Sequence, residues 1–121
     1  MTHSPGFLKL VGEAKPHIKE TDVAGYKQML AQGKTPVLVD VREDNEFAAG
    51  HVKGAVHMSR GIIERDIELK YPDKNTPFAL YCGGGFRSAL VAESLGKMGY
   101  AKVISVDGGW KALKESGLPL E

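Results

Sequence analysis

The segment Phe78-Ala79-Leu80-Tyr81-Cys82-Gly83-Gly84-Gly85-Phe86-Arg87-Ser88 decides how this chain folds. Its first four residues form an unbroken apolar run, as expected of a short strand covered on both faces. Three glycines then interrupt the chain. From Arg87 to Met98, the apolar residues Leu90, Val91, Leu95 and Met98 recur at helical spacing, and Gly99 supplies the stop. A buried strand that turns through glycines into a helix is the repeating unit of parallel α/β sheets. Ligands of such sheets sit outside the carboxyl ends of the strands. Cys82 stands at such an end.

The same alternation extends in both directions. Downstream, Val103 to Val106 reads as the next strand, and Asp107-Gly108-Gly109 turns into a last helix from Trp110 to Glu115. Upstream, Val37 to Val41 is a nearly all-apolar strand. Asp44 is placed to cap a short helix over Glu46 to Ala49, stopped by Gly50. Val52 to Met58 reads as another strand, and Ser59 as the cap of a helix running to about Lys70. Turn residues make 72–77 a loop. Nearer the start, Thr21 or Asp22 caps a helix that ends at Gln32 before Gly33. Residues 6–15 carry the apolar stripe Phe7, Leu8, Val11 and Ala14, and Pro16 ends that helix. The fold class expected is a three-layer α/β domain, a parallel sheet with helices on both faces.

Composition narrows the function. The 121 residues fit one domain, long enough to fold without a disulfide or a metal. Sixteen basic and fifteen acidic residues leave a net charge of +1, without the basic excess that nucleic acid or an anionic membrane demands. No apolar run approaches the roughly 18 residues of a membrane span. Lys9, Gly12, Glu13 and Lys15 interrupt the start of the chain, so no secretory signal is expected and the cytoplasm is the default compartment. A single cysteine excludes an internal disulfide, a CxxC redox pair and a multi-cysteine zinc site. The histidines at 3, 17, 51 and 57 fit no metal spacing, so no metal and no cofactor are expected.

The glycine loop is where chemistry is expected. Glycines admit positive φ, which lets successive backbone N–H groups turn inward as an anion-binding nest. The helix start near Arg87 adds its positive dipole end. A thiolate at the centre of such a nest is favoured over the thiol, and any anion carried on the sulfur is stabilised likewise. Two plainer readings stand beside this one. A lone cysteine after a strand is ordinarily a small buried hydrophobe, and the nest by itself suits a phosphate with the cysteine as bystander.

Cys82-x-x-Gly85-x-Arg87-Ser88 resembles the active-site loop of rhodanese domains, Cys-x-x-Gly-x-Arg-Ser/Thr. Asp40-Val41-Arg42-Glu43, Glu46-Phe47 and Gly50-His51-Val52-Lys53-Gly54-Ala55 resemble that family's first signature. Asp107-Gly108-Gly109-Trp110 and Gly117-Leu118-Pro119 resemble its last. The resemblance covers about residues 18–121 and leaves residues 1–17 as a helical extension. It implies a five-stranded parallel sheet and a sulfurtransferase in which Cys82 takes sulfane sulfur as a persulfide. Thiosulfate, a polysulfide or another persulfide is the implied donor. With no second cysteine, the acceptor comes from outside: a thiol, cyanide or a protein, met by a monomer or a homodimer.

The resemblance places Gly83, Gly84, Gly85, Phe86, Arg87 and Ser88 around the sulfur. Arg87 either meets an anionic substrate or pairs with Asp40 or Glu46 to lock the loop, and the resemblance favours the pairing. Arg42, after a strand end, and Arg60, opening a helix, are the candidates to attract an anionic donor. His57-Met58-Ser59-Arg60-Gly61 resembles a stretch of polysulfide sulfurtransferases. Phe86 and Trp110 wall the pocket or belong to the core. Two other classes remain open. One is a persulfide carrier or sensor with little turnover. The other is a cysteine phosphatase or arsenate reductase, since rhodanese folds also host cell-cycle phosphatases with five residues between Cys and Arg. Here there are four.

Overall fold

The computed structural model describes residues 3–121, so Met1 and Thr2 of the expected extension lie outside the described residues. Five parallel strands form one sheet in the order β1-β5-β4-β2-β3, with β1 Lys19–Thr21, β2 Val37–Asp40, β3 Val56–His57, β4 Phe78–Tyr81 and β5 Val103–Val106. The helices are α1 Pro5–Ala14, α2 Val23–Ala31, α3 Asp44–Ala49, α4 Ile63–Lys70, α5 Phe86–Lys97 and α6 Gly109–Leu113, with a 3-10 turn at Lys15–His17. The α/β class, the parallel sheet and its five strands are as expected.

Alternation along β4 builds the core. Phe78, Leu80 and Cys82 face α4 and α5 among Ile63, Ile67, Val91 and Leu95. Ala79 and Tyr81 face the other side with Tyr26, Val106 and Leu113, under α2 and α6. All four residues of β4 are buried, which explains the unbroken apolar run: both faces are covered. Each large apolar side chain so buried contributes about 2 kcal/mol. Val11 and Ala14 of α1 pack on Ala89 and Leu90 of α5 as a third, smaller cluster.

Several local expectations are corrected. β1 has exposed Lys19 and Glu20 and no apolar pattern; main-chain pairing with Ile104 to Val106 alone makes it a strand. The strand expected over Val52 to Met58 is only Val56–His57, because Gly54 turns the chain at φ 85. Val52 instead makes an isolated antiparallel bridge with Leu120. Ser59 does not cap α4, whose N-cap is Ile62; only the Ser59 carbonyl serves, accepting from the N–H groups of Ile62 and Ile63. Asp44 is the first residue of α3, and Glu43 is its N-cap. Asp22 does cap α2, accepting from the Gly25 N–H at 2.8 Å.

β4 lies mid-sheet between β2 and β5. The chain leaves β2 outward to β3, then returns to β4 on the far side of β2, so strand order reverses there. The loop after β4 therefore sits at the switch point where a parallel sheet opens a crevice. The segments that follow β2, β3 and β5 gather at the same edge.

Candidate active site

Cys82 ends β4 and is 1% exposed. Its Sγ accepts from the Gly85 N–H at 3.2 Å and from the Ser88 N–H at 3.3 Å, with Ser88 Oγ at 3.6 Å. The opposite side of the loop explains this convergence. The carbonyls of Cys82, Gly83 and Gly84 accept from the N–H groups of Trp110 (2.7 Å), Lys111 (3.2 Å) and Gly108 (3.2 Å). In a trans peptide the carbonyl and the N–H point oppositely. Docking the Gly84 carbonyl on Gly108 thus aims the Gly85 N–H at the sulfur.

Only one glycine of the run needs its freedom. Gly85 sits at φ 106, where a Cβ would stand 3.0 Å from Asp107 Oδ1. Gly83 and Gly84 have ordinary φ, so the inward turn of the N–H groups draws on positive φ at Gly85 alone. A Cβ on Gly84 would meet open space, and one on Gly83 would meet only Arg87 Nη2 at 3.0 Å.

Arg87 gives Nη1 and Nη2 to the two carboxylate oxygens of Glu46, at 2.8 and 3.1 Å. Of the two partners expected for it, Glu46 is the one used. The Glu46 carboxylate also accepts from the Glu43 N–H at 2.9 Å, which ties the loop to the start of α3. The Arg87 hydrogen bonds hold the Glu46 carboxyl down at about 2, and Glu46 in turn raises Arg87. A carboxyl lowered on folding adds stability that is complete above its unfolded value near 4.5 and is lost as pH falls through about 2. Glu46→Gln is therefore expected to lower stability at neutral pH by about 1 kcal/mol, discounted for partial exposure. Acid unfolding curves of the two proteins should converge between pH 4.5 and 2.

Asp40 holds Arg42 rather than Arg87. The Arg42 guanidinium gives Nε and Nη2 to the buried Asp40 carboxylate, and Nη2 also donates to the Gly50 carbonyl at 2.7 Å. It lies 4.8 Å from the centre of the Trp110 ring. Arg42 is 3% exposed, and its Nε and Nη2 donors are engaged by Asp40 and Gly50. Arg60 is exposed and forms no ion pair among the described residues. With Arg87 it lines a cavity of about 530 Å³ between α1, α4 and α5. Phe86 is half-buried, its ring centroid 6.2 Å from Phe7 of α1. Trp110 is half-buried, packed on Arg42 and near Gly50 against the cluster that holds Tyr26 and Leu113.

The model of the Rhodanese-like domain family matches residues 22–116. The chain belongs to that family. A family relative, the thiosulfate sulfurtransferase GlpE of Vibrio cholerae serotype O1, is 32% identical over 105 residues, covering 87% of this chain and 96% of that protein. Among solved structures, a rhodanese-like domain protein from Staphylococcus aureus superposes with a TM-score of 0.74 at 33% identity, over 84% of this chain and 96% of the other. A Rhodopseudomonas palustris protein of unknown function, described as a possible tyrosine phosphatase, matches all of this chain and 98% of its own, with a TM-score of 0.83 at 28% identity. Residues 5–14, which form α1, lie outside the rhodanese-like match but within that last one.

Two contributors to the site escape the sequence reading. Gly109, at φ 50, lies so close to the Cys82 and Gly83 backbone that no Cβ fits. Its signal was present in the Asp107-Gly108-Gly109-Trp110 motif, but nothing in sequence says that this turn touches the cysteine loop. Ser105, fully buried on β5, hydrogen-bonds Ser88 Oγ at 2.8 Å. A polar residue in the run Val103-Ile104-Ser105-Val106 was its only trace.

Proposed function

We propose that this rhodanese-like protein moves sulfane sulfur from a thiosulfate, polysulfide or persulfide donor to a thiophilic acceptor through a persulfide on Cys82. The observation that carries the reading is the convergence of the Gly85 and Ser88 N–H groups on Sγ. These donors favour a sulfur that only accepts, as a thiolate or persulfide does. With thiosulfate, the Cys82 thiolate attacks the outer sulfur; the sulfur–sulfur bond of the donor breaks and sulfite leaves with its electron pair. An acceptor thiolate or cyanide then attacks the outer sulfur of the persulfide, and the Cys82 thiolate is restored. Relatedness to a thiosulfate sulfurtransferase supports the donor class.

In this reading Gly83 to Ser88 cradle the sulfur, and Arg60 draws anionic donors toward the cavity it shares with Arg87. Asp40, Arg42 and Glu46 hold the loop's surroundings. Phosphoryl transfer fits less well. Four residues separate Cys82 from Arg87, and both terminal nitrogens of Arg87 are engaged by Glu46. The reading is tested by the intact mass of the protein after exposure to thiosulfate and, separately, to an aryl phosphate. We expect a gain of one sulfur from the first, removed by cyanide, and no change from the second. A phosphoryl gain without any sulfur gain would overturn it.

A further inference from the structure

We propose that Ser105 is a positioning residue that directs the Ser88 hydroxyl hydrogen onto the Cys82 sulfur. The inference rests on the reading of Cys82 as the reactive thiolate, and it begins from hydrogen counting. Ser105 Oγ is fully buried on β5, and its sole hydrogen-bond partner among the described residues is Ser88 Oγ, 2.8 Å away. A buried hydroxyl hydrogen without an acceptor is costly. Ser105 therefore donates, and Ser88 Oγ accepts. The other neighbour is Cys82 Sγ at 3.6 Å, a contact in which a neutral thiol donates to Ser88 Oγ; once that proton is lost, the Ser88 hydrogen is left to point at Sγ.

The row Ser105–Ser88–Cys82 has two links. Two hydrogens fill them without remainder when Cys82 has given its proton to solvent. Accepting from Ser105 also polarises the Ser88 O–H and makes it a stronger donor to sulfur. Without Ser105, the Ser88 hydroxyl is free to rotate. The sheet thus reaches the site through β5. The Leu80↔Ser105 register sets Ser105 beside the strand that ends at Cys82.

The rate of Cys82 alkylation by iodoacetamide against pH reads the thiolate directly and needs no sulfur donor, so it stands or falls apart from sulfur transfer itself. Ser105→Ala is expected to raise the midpoint by about half a pH unit, slowing alkylation below it about threefold. Ser88→Ala should raise it by more, and the Ser88→Ala/Ser105→Ala double variant should match Ser88→Ala alone, because Ser105 acts through Ser88. The charged groups around the loop and β5 are the pairs Arg87–Glu46, Arg42–Asp40 and Lys15–Glu20, with Asp107 and Lys111 beyond, and all are retained in every variant. An unchanged midpoint in folded Ser105→Ala overturns the proposal. So does a double variant whose shift is the sum of the two single shifts.

Discussion

Replacing Cys82 by Ser is expected to remove sulfur transfer almost entirely, by a factor of about 10³ or more. A serine hydroxyl yields little alkoxide at neutral pH, and oxygen forms no stable counterpart of the persulfide that the two-step transfer passes through. The fold should survive. Serine is nearly isosteric, and the Gly85 and Ser88 N–H groups that now meet Sγ at 3.2 and 3.3 Å can meet an oxygen instead. Cys82 does belong to the apolar cluster with Leu80 and Val91, so a loss of about 1 kcal/mol in stability is expected. Steady-state assays with thiosulfate and cyanide, alongside thermal melts, separate the two effects. Activity above a few per cent of wild type in the folded variant would rule out a covalent step at this residue.

What sequence reveals here depends on whether a residue's partner is local. The β4–loop–α5 unit is legible because burial on both faces of β4 forces Phe78 to Tyr81 to be apolar, and helical spacing follows at once. Arg42 has its partner close by in the chain. β2 ends at Asp40 and the chain bends at Arg42, whose N–H donates to Asp40 Oδ1 at 2.9 Å, so a carboxylate two residues before the arginine is a neighbour through a local turn. That proximity explains why Arg42 is consumed by Asp40 while Arg87, 41 positions from Glu46, takes the other carboxylate. β1 left no trace, since Lys19 and Glu20 form a strand through main-chain bonds to β5 that any sequence could make. Ser105 and Gly109 matter because the sheet and α6 bring them against Ser88 and Cys82, and no spacing rule encodes such contacts.

Gly109→Ala is expected to damage the site as severely as a change in the loop itself, although Gly109 lies 27 positions beyond Cys82. A Cβ there would overlap the Cys82 carbonyl and stand 2.9 Å from the Gly83 carbonyl carbon and oxygen, and the backbone sits at φ 50 besides. Backbone is the obstacle, so no side-chain rotation relieves it. The loop and the first turn of α6 must separate. That loosens the bonds from Trp110 to Cys82, from Lys111 to Gly83 and from Gly108 to Gly84, which together fix the loop's peptide planes. The Gly84–Gly85 plane is then free to rotate, and the Gly85 N–H no longer holds the sulfur. Transfer should fall by about 10² or more, as for loss of a preorganised donor at an active site. Stability should fall by about 2 kcal/mol through the clash and the loosened contacts. Gly84→Ala is the control, because its Cβ meets nothing within 4 Å and its φ is ordinary. It should keep transfer within about threefold of wild type. Assayed at a temperature where both variants are folded, equal activities would show that the α6 turn does not set the geometry of the cysteine loop.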